Sequence, residues 1–82
     1  MTGTVTEINQ RLGMVAVDTV EDGFTIIEML SEGIEVGDEL SWADSHPLGS
    51  GTVRNATKGK SMSVFYQNHC VTKSQLRQQL LY

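Results

Sequence analysis

Residues 1–17 read MTGTVTEINQRLGMVAV, two β-prone segments on either side of a glycine-containing turn. The first segment, residues 3–9, places Val5 on one face and Thr4, Thr6 and Ile8 on the other. The second segment, residues 14–20, is rich in β-branched side chains, which favour strands. Glycine recurs at positions 3, 13, 23 and 33, and turn signals at this spacing are typical of an all-β sandwich or barrel. The stretch therefore predicts the first hairpin of a small β-barrel.

Four more strands are predicted after this hairpin. They cover residues 24–29, 38–43, 51–57 and 61–67, with 30–37 as a short helical turn or loop and 44–50 as a loop. Asp22-Gly23 predicts a tight hairpin turn, because this pair tolerates the left-handed conformation that short connections need. In the last strand Met62, Val64 and Tyr66 alternate with Ser63 and Phe65. We predict a mainly β fold, a barrel of five strands with one extra strand.

The chain then changes to a helical pattern. Thr72 and Gln75 have the spacing of a capping box, and Val71 and Leu76 that of the accompanying hydrophobic staple. Leu76 and Leu80 lie one turn apart on one face, so an amphipathic helix is predicted over residues 73–81. Residues 1–70 are thus assigned to the barrel and residues 71–82 to a helix packed on it, within a single domain. We expect this helix to cover one open end of the barrel.

The charges divide the sequence into two halves. All ten carboxylate side chains lie between Glu7 and Asp44, opposed only by Arg11, so the first 44 residues carry a net charge of −9. The last 38 residues carry five cations and no carboxylate side chain, a net charge of +5. This segregation fits either a basic face for nucleic acid or an acidic patch for a basic partner. If strands from the two halves interleave, the charges neutralise one another instead.

Metal ligands and nucleophiles are few. Cys70 is the single cysteine, which excludes an internal disulfide, and we expect it to be buried ahead of the helix. His69 and Cys70 are adjacent and point to opposite sides of an extended strand, so with His46 they give no recognisable zinc spacing. We predict no metal, no cofactor and no catalytic residue. Without a signal peptide or a long apolar stretch, we expect a cytoplasmic protein that does not bind a membrane.

Several positions resemble one family of small barrels. They are Met1-Thr2-Gly3, Val5, Asn9 and Gly13 in the first hairpin, Asp22-Gly23 in the second turn, Gly37 to Trp42, and Gly49 to Thr57. In these positions the chain resembles the cold-shock domain family over residues 1–57. The resemblance implies an OB-like barrel, the fold with which that family binds single-stranded RNA and DNA.

The rings on which bases stack in that family are absent here. Glu7 stands where the family has a tryptophan, and Met14 and Ala16 stand where it has phenylalanines. Each stacked base is worth about 1–3 kcal/mol, so losing three rings removes on the order of 3–9 kcal/mol of binding free energy. The resemblance therefore implies the fold, and not the use of the usual binding face.

A different nucleic-acid surface is indicated in the C-terminal half. Cations beside aromatic rings are the combination that single-strand binders use. The predicted contact residues are Arg54, Lys58, Lys60, Tyr66, Lys73 and Arg77. We expect a non-enzymatic protein that binds single-stranded RNA or DNA through them. The alternative is a protein–protein interaction module without nucleic-acid binding, either a homodimer or a receptor for a basic protein on the acidic half.

Overall fold

Six antiparallel strands close into a barrel in the computed structural model, which describes residues 1–82. The strands are β1 (Thr2–Asn9), β2 (Met14–Asp18), β3 (Phe24–Met29), β4 (Glu39–Ser41), β5 (Gly49–Asn55) and β6 (Lys60–Val71). A 3₁₀ turn at Lys73–Gln75 leads into one α-helical turn, α1 (Leu76–Gln79), and the two together are called the C-terminal helix. The predicted mainly β fold with a short C-terminal helix is confirmed. None of the helical segments is long and apolar enough to span a membrane.

The strands follow one another round the barrel in the order β1-β2-β3-β6-β5-β4, and β4 pairs with β1 to close it. The 12-residue β6 holds the wall together, because its first half pairs with β5 and its second half with β3. This double pairing explains why β6 continues to Val71, beyond the predicted end at residue 67. The 30–37 segment forms bends and a turn, with no helix.

The barrel interior is filled by apolar side chains. Eleven buried residues form this inner core: Val5, Ile8, Val15, Val17, Ile27, Ile34, Leu40, Trp42, Val53, Val64 and Tyr66. The predicted alternation in β6 is confirmed, since Val64 and Tyr66 face inward while Ser63 and Phe65 are exposed. The predicted facing of Ile8 is wrong. A register shift between Val5 and Glu7 adds one residue to β1, so Ile8 points inward like Val5.

The C-terminal helix packs on the outer wall of the barrel. Leu76 and Leu80 form a second apolar cluster with Met14, Ala16 and Ile26 on the outer faces of β2 and β3, and with Val71. Asn9 Nδ2 donates to the Leu80 carbonyl at 2.8 Å, and the Thr72 N–H donates to Gln75 Oε1 at 3.1 Å as the capping box requires. The helix therefore covers the wall and does not cover an open end, because the outward side chains of β2 are themselves apolar.

The charged halves of the chain occupy separate arcs of the wall. Strands β4, β1, β2 and β3 are consecutive neighbours, and β6 and β5 complete the circle. Strands from the acidic and basic halves therefore do not interleave. Among the lysines and arginines only Lys58 forms ion pairs, with Asp38 and Glu35. Lys58 is therefore the one lysine or arginine of the basic half that neutralises carboxylates of the acidic half through ion pairs.

Candidate functional site

The outer face of β1 and β2 carries the positions where the resemblance expects stacking rings. Met14 and Ala16 are buried there beneath Leu76 and Leu80 of the C-terminal helix. Glu7 lies beside Ala16 on the neighbouring strand and is half-buried. The helix thus covers the positions at which the resemblance expects rings, and its leucines pack on small or flexible apolar side chains.

The six predicted nucleic-acid contacts do not come together. Arg54 points outward from β5 opposite Ser61. Lys58 and Lys60 line an open cavity of about 480 Å³ beside the 32–35 loop, where Glu32 and Glu35 also lie. Lys73 and Arg77 are on the C-terminal helix, beyond the opposite end of the 12-residue β6. The cations of the basic half therefore do not form one patch.

Tyr66, predicted as a nucleic-acid contact, belongs to the inner core and offers no exposed ring. Its side chain is only 2% exposed, and its hydroxyl donates to the Thr52 carbonyl at 2.7 Å. The ring packs against Trp42 with 6.0 Å between centroids. Burial raises the pKa of the Tyr66 hydroxyl to about 12. The exposed ring on this part of β6 is the neighbouring Phe65, which faces outward.

Lys58 is held by a buried carboxylate. Its Nζ lies 2.8 Å from Asp38 Oδ2 and 2.7 Å from Glu35 Oε1. Asp38 Oδ2 also accepts from Asn55 Nδ2 at 2.8 Å and from the Glu35 N–H at 2.9 Å. Burial works against ionisation of Asp38, but the hydrogen bonds from Lys58, Asn55 and Glu35 outweigh it and hold its pKa below the usual value. Because its ammonium group is engaged in this network, Lys58 is poorly placed to bind a phosphate.

A groove runs along the C-terminal helix on the outer wall. Its volume is about 330 Å³, and it is lined by Leu12, Met14, Leu81, Glu28, Gln67, Gln78 and Gln79. Leu12 and Leu81 are 41% and 56% exposed at its rim. Gln67 Nε2 donates to Glu28 Oε1 at 3.1 Å, which fixes the carboxylate of the groove. The groove offers apolar surface, amide groups and one negative charge. Its position follows from the docking of the helix, which the sequence pattern does not specify.

Three possible metal ligands meet at the other end of the β2–β3 hairpin. His46 Nε2 lies 3.2 Å from Asp22 Oδ2 and 3.5 Å from Cys70 Sγ. Cys70 is exposed, contrary to the prediction that it is buried, because it adopts a left-handed conformation (φ 56°) at the end of β6. One imidazole nitrogen faces both neighbours, whereas a nucleophile relay needs the thiol and the carboxylate on opposite ring nitrogens. The arrangement does not support cysteine catalysis.

Comparisons with protein-family models, with curated proteins and with solved structures give no match for this chain. A fold of this kind hosts many functions, so function is argued from the surfaces themselves. Three surfaces carry chemistry: the groove beside the C-terminal helix, the outer face of β5 and β6 with Phe65 and Arg54, and the Asp22–His46–Cys70 cluster.

Proposed function

We propose that the protein is a non-enzymatic interaction module, and that the groove beside the C-terminal helix binds a polypeptide segment with an apolar anchor and basic flanks. The observation that carries this proposal is the lining of the groove. Leu12, Met14 and Leu81 give it apolar walls, with glutamines and Glu28 between them. An apolar patch rimmed by polar groups is typical of a protein–protein interaction site.

The polar groups of the groove suit a peptide backbone. A bound segment must find partners for its N–H and C=O groups where water is excluded. Each glutamine side chain offers both donors and an acceptor. Gln79 Oε1 already accepts a hydrogen bond from Asn68 Nδ2 at 3.2 Å. The side-chain amide of Gln78, by contrast, makes no hydrogen bond within the chain. Gln78 is therefore the side chain that we expect to bind the backbone of the partner.

Charge favours a basic partner over an acidic one. Glu28 is the one charged group lining the groove. Leu12, Met14 and Glu28 come from the half of the chain with a net charge of −9, and the uncharged remainder of the lining comes from the other half. A complementary potential raises association rates and disfavours partners of like charge. A lysine or arginine beside the apolar anchor would pair with Glu28.

The same proposal accounts for the residues of the missing base-stacking face. We interpret the barrel as cold-shock-like, with Met14 and Ala16 in place of aromatic rings because Leu76 and Leu80 cover them. In this interpretation the added helix replaces a nucleic-acid surface by a groove of different chemistry on the same wall.

A nuclear magnetic resonance titration with two capped model peptides tests the proposal. The peptides are Lys-Leu-Lys-Leu-Lys and Glu-Leu-Glu-Leu-Glu. We expect the basic peptide to shift the amide signals of Leu12, Glu28 and Leu81, and the acidic peptide to bind more weakly. The Leu12→Ser/Leu81→Ser variant should lose this response. Leu48→Ser, which alters an exposed leucine in the β4–β5 connection, is the matched control.

Two results would contradict groove binding. One is a response to both peptides of equal size, spread over the whole surface. The other is an unchanged response in Leu12→Ser/Leu81→Ser. A sedimentation series with the protein alone tests for a homodimer. Self-association would raise the apparent mass with protein concentration, and Leu12→Ser/Leu81→Ser would abolish that rise if the dimer forms through this groove.

Nucleic-acid binding is a second proposal, because one face retains groups suited to it. Phe65 is 38% exposed on the outer face of β6, and Arg54 projects from the outer face of β5. The side chains Ser50, Thr52, Ser61 and Ser63 lie between or beside them, and the outward positions of β5 and β6 carry no carboxylate. The carboxylate beside this face is Glu28 of β3, which pairs with Phe65. The register pairs Phe65 with Ser50 and Arg54 with Ser61, so the ring and the cation lie four residues apart along this face. This spacing suits one stacked base on Phe65 and a phosphate farther along the strand on Arg54.

Fluorescence titration with an oligothymidylate at two salt concentrations tests this second proposal. Phe65→Ala should weaken binding by about 1–3 kcal/mol. Arg54→Ala should reduce the slope of log affinity against log salt by about 0.7, the value for one phosphate contact to a single strand. Arg11→Ala removes an exposed cation from the acidic half and is the control. Absence of binding at low salt, or equal losses in Arg54→Ala and Arg11→Ala, would exclude the β5–β6 face.

A further inference from the structure

Three side chains capable of binding a metal come together from distant parts of the chain. Asp22 lies in the β2–β3 turn, His46 in the β4–β5 connection and Cys70 near the end of β6. Their carboxylate oxygen, imidazole nitrogen and thiol sulfur all lie within 4.8 Å of one another. We propose that these residues form a zinc site with one coordination position open to solvent.

Two of the three distances between the donor atoms match a tetrahedral zinc ion. Zinc binds nitrogen and carboxylate oxygen at about 2.0–2.2 Å and thiolate sulfur at about 2.3 Å, so adjacent N and O ligands lie roughly 3.3–3.5 Å apart and N and S ligands roughly 3.6 Å apart. In this structure His46 Nε2 lies 3.2 Å from Asp22 Oδ2 and 3.5 Å from Cys70 Sγ. The third pair, the Asp22 oxygen and the Cys70 sulfur, lies within 4.8 Å, and an ion at His46 Nε2 needs these two ligands at roughly 3.6 Å.

The turn that carries Asp22 is fixed relative to Cys70. Thr19 Oγ1 accepts from the Asp22 N–H at 3.0 Å and donates to the Gly23 carbonyl at 2.6 Å. Gly23 packs so closely on β6 that an added Cβ would lie 2.8 Å from the Val71 carbonyl oxygen. The backbone therefore fixes the positions of Asp22 and Cys70 relative to each other before any ion binds.

His46 is positioned by its neighbour His69. The two rings meet edge to face, with 5.3 Å between centroids. His69 contacts Thr25 Oγ1 through Nδ1, at 2.9 Å, and the Pro47 carbonyl through Nε2. Because both nitrogens of His69 have partners, it is a supporting residue and not a ligand. Such contacts around ligating side chains orient them for the ion.

The donor set favours zinc among biological divalent ions. A thiolate and an imidazole are ligands of zinc and of softer ions, and not of Mg²⁺ or Ca²⁺. The thiolate and the carboxylate together balance the charge of Zn²⁺, with the imidazole neutral. Three protein ligands leave a fourth position, which water fills in sites of this kind. The site lies at the opposite end of the β2–β3 hairpin from the groove, so it is independent of the proposed function.

Metal titrations of the reduced 82-residue chain test the site. Zn²⁺ alone is titrated calorimetrically, and Co²⁺ is titrated as a spectroscopic substitute. We expect one ion per chain, a thiolate-to-Co²⁺ charge-transfer band in the near ultraviolet, and the intense visible bands of tetrahedral Co²⁺. Thermal unfolding with and without Zn²⁺ should show a higher Tm with the ion, because an ion that binds only the folded chain stabilises it.

Single substitutions assign the ligands. Loss of second-shell contacts already lowers metal affinity about 10–100-fold, so Cys70→Ser and His46→Gln should each lower Zn²⁺ affinity by more than about 100-fold. Cys70→Ser should also abolish the charge-transfer band. Asp22→Asn should weaken binding, whereas the matched control Glu21→Gln, at the adjacent exposed carboxylate, should bind like the wild type.

Several outcomes would overturn the proposal. They are the absence of a charge-transfer band, unchanged affinity in Cys70→Ser, equal losses in Asp22→Asn and Glu21→Gln, and one ion per two chains. Circular dichroism of each variant without metal shows whether the barrel is intact. If Cys70→Ser does not fold, the competition between Zn²⁺ and alkylation of the Cys70 thiol in the wild type gives the answer, since zinc must protect the thiol.

Discussion

Asp38 shows how one side chain fixes the conformation of a loop. Its carboxylate is 4% exposed and receives hydrogen bonds from Lys58, Asn55 and the backbone N–H of Glu35. These contacts connect the 30–37 segment to β5 and to the β5–β6 turn. A buried carboxylate of this kind stabilises the fold only while it is ionised, since its partners are donors.

The stability of the protein should therefore fall in acid. The pKa of Asp38 is lowered from 3.8 in the folded chain, so its contribution is complete above that value and is lost as pH falls through the lower, folded pKa. Asp38→Asn should lower the free energy of unfolding at pH 7 by about 1–3 kcal/mol, because Lys58 loses the buried one of its two carboxylate partners. Between pH 4 and pH 2, Asp38→Asn should lose less stability than the wild type.

Urea unfolding at several pH values measures this difference. Asp44→Asn, at an exposed carboxylate without hydrogen bonds to side chains, is the control and should follow the wild type. If Asp38→Asn and Asp44→Asn have the same free energy of unfolding at every pH, the network around Asp38 does not stabilise the loop.

The facing of a side chain, into the barrel or outward, is predicted correctly where the alternation along one strand determines it. Val64, Tyr66 and Phe65 alternate in sequence, and they alternate between the inside and the outside of the barrel. Ile8 and Cys70 were misplaced because a bulge and a left-handed residue depend on the pairing of neighbouring strands, which a local pattern does not contain.

Among the elements, the C-terminal helix is short, yet it covers an apolar part of the outer wall. The α-helical part is one turn, and an isolated helix of this length is unstable in water. Its stability must come from the outer apolar cluster, where Leu80 is completely buried between Asn9 and the face of β2. The helix and the wall beneath it thus depend on each other.

Leu80→Ala should lower the free energy of unfolding by about 2–5 kcal/mol, the range for removing a buried leucine side chain. The adjacent Leu81 is exposed, so Leu81→Ala should change stability by less than about 0.5 kcal/mol. Denaturant unfolding monitored through Trp42 fluorescence measures both variants. Equal small effects would mean that the helix is not part of the cooperative unit.

The helix also shows where sequence interpretation reaches its limit. Thr72, Gln75 and the leucines identify a helix start and an apolar face from local spacing alone. They do not identify what that face covers, because the outer apolar cluster draws on residues more than fifty positions away, such as Met14 and Ala16. The groove lies beside this contact and could not be predicted either.

On the scale of the whole molecule, the two charged arcs create an uneven electrostatic field. The first 44 residues, which form the acidic arc of β4, β1, β2 and β3 and its loops, carry ten carboxylate side chains. Of these, only Asp38 and Glu35 form an ion pair with a lysine or arginine. Repulsion among exposed charges opposes folding and is screened by salt. Added salt should thus stabilise the protein at neutral pH.

We expect Tm at pH 7 to rise between about 0.01 M and 1 M sodium chloride, as the Debye length falls from about 30 Å to about 3 Å. Glu7→Gln removes a carboxylate from the acidic arc, so its Tm should rise less than that of the wild type. Lys73→Gln removes a cation from the other half, and its rise should be at least as large as that of the wild type. A larger rise in Glu7→Gln than in Lys73→Gln would contradict this electrostatic interpretation.

The candidate surfaces illustrate why function was harder to predict than fold. Arg54, Lys58 and Lys60 are close in sequence, yet one projects outward and the other two line a cavity that also contains carboxylates. Asp22, His46 and Cys70 are separated by 24 residues at each step and meet in space. Which side chains share a surface depends on strand order, and composition does not determine strand order.

The closed strand order has a consequence for how the chain folds. β1 needs β4 and β3 needs β6, so no consecutive part of the chain can satisfy all its backbone groups alone. Proteins dominated by such distant pairings fold in milliseconds to seconds, slowly for their size. Until β6 arrives, the edge of β3 and the apolar outer face of β2 remain open to other chains, so the nascent β1–β3 meander is the stage most exposed to aggregation.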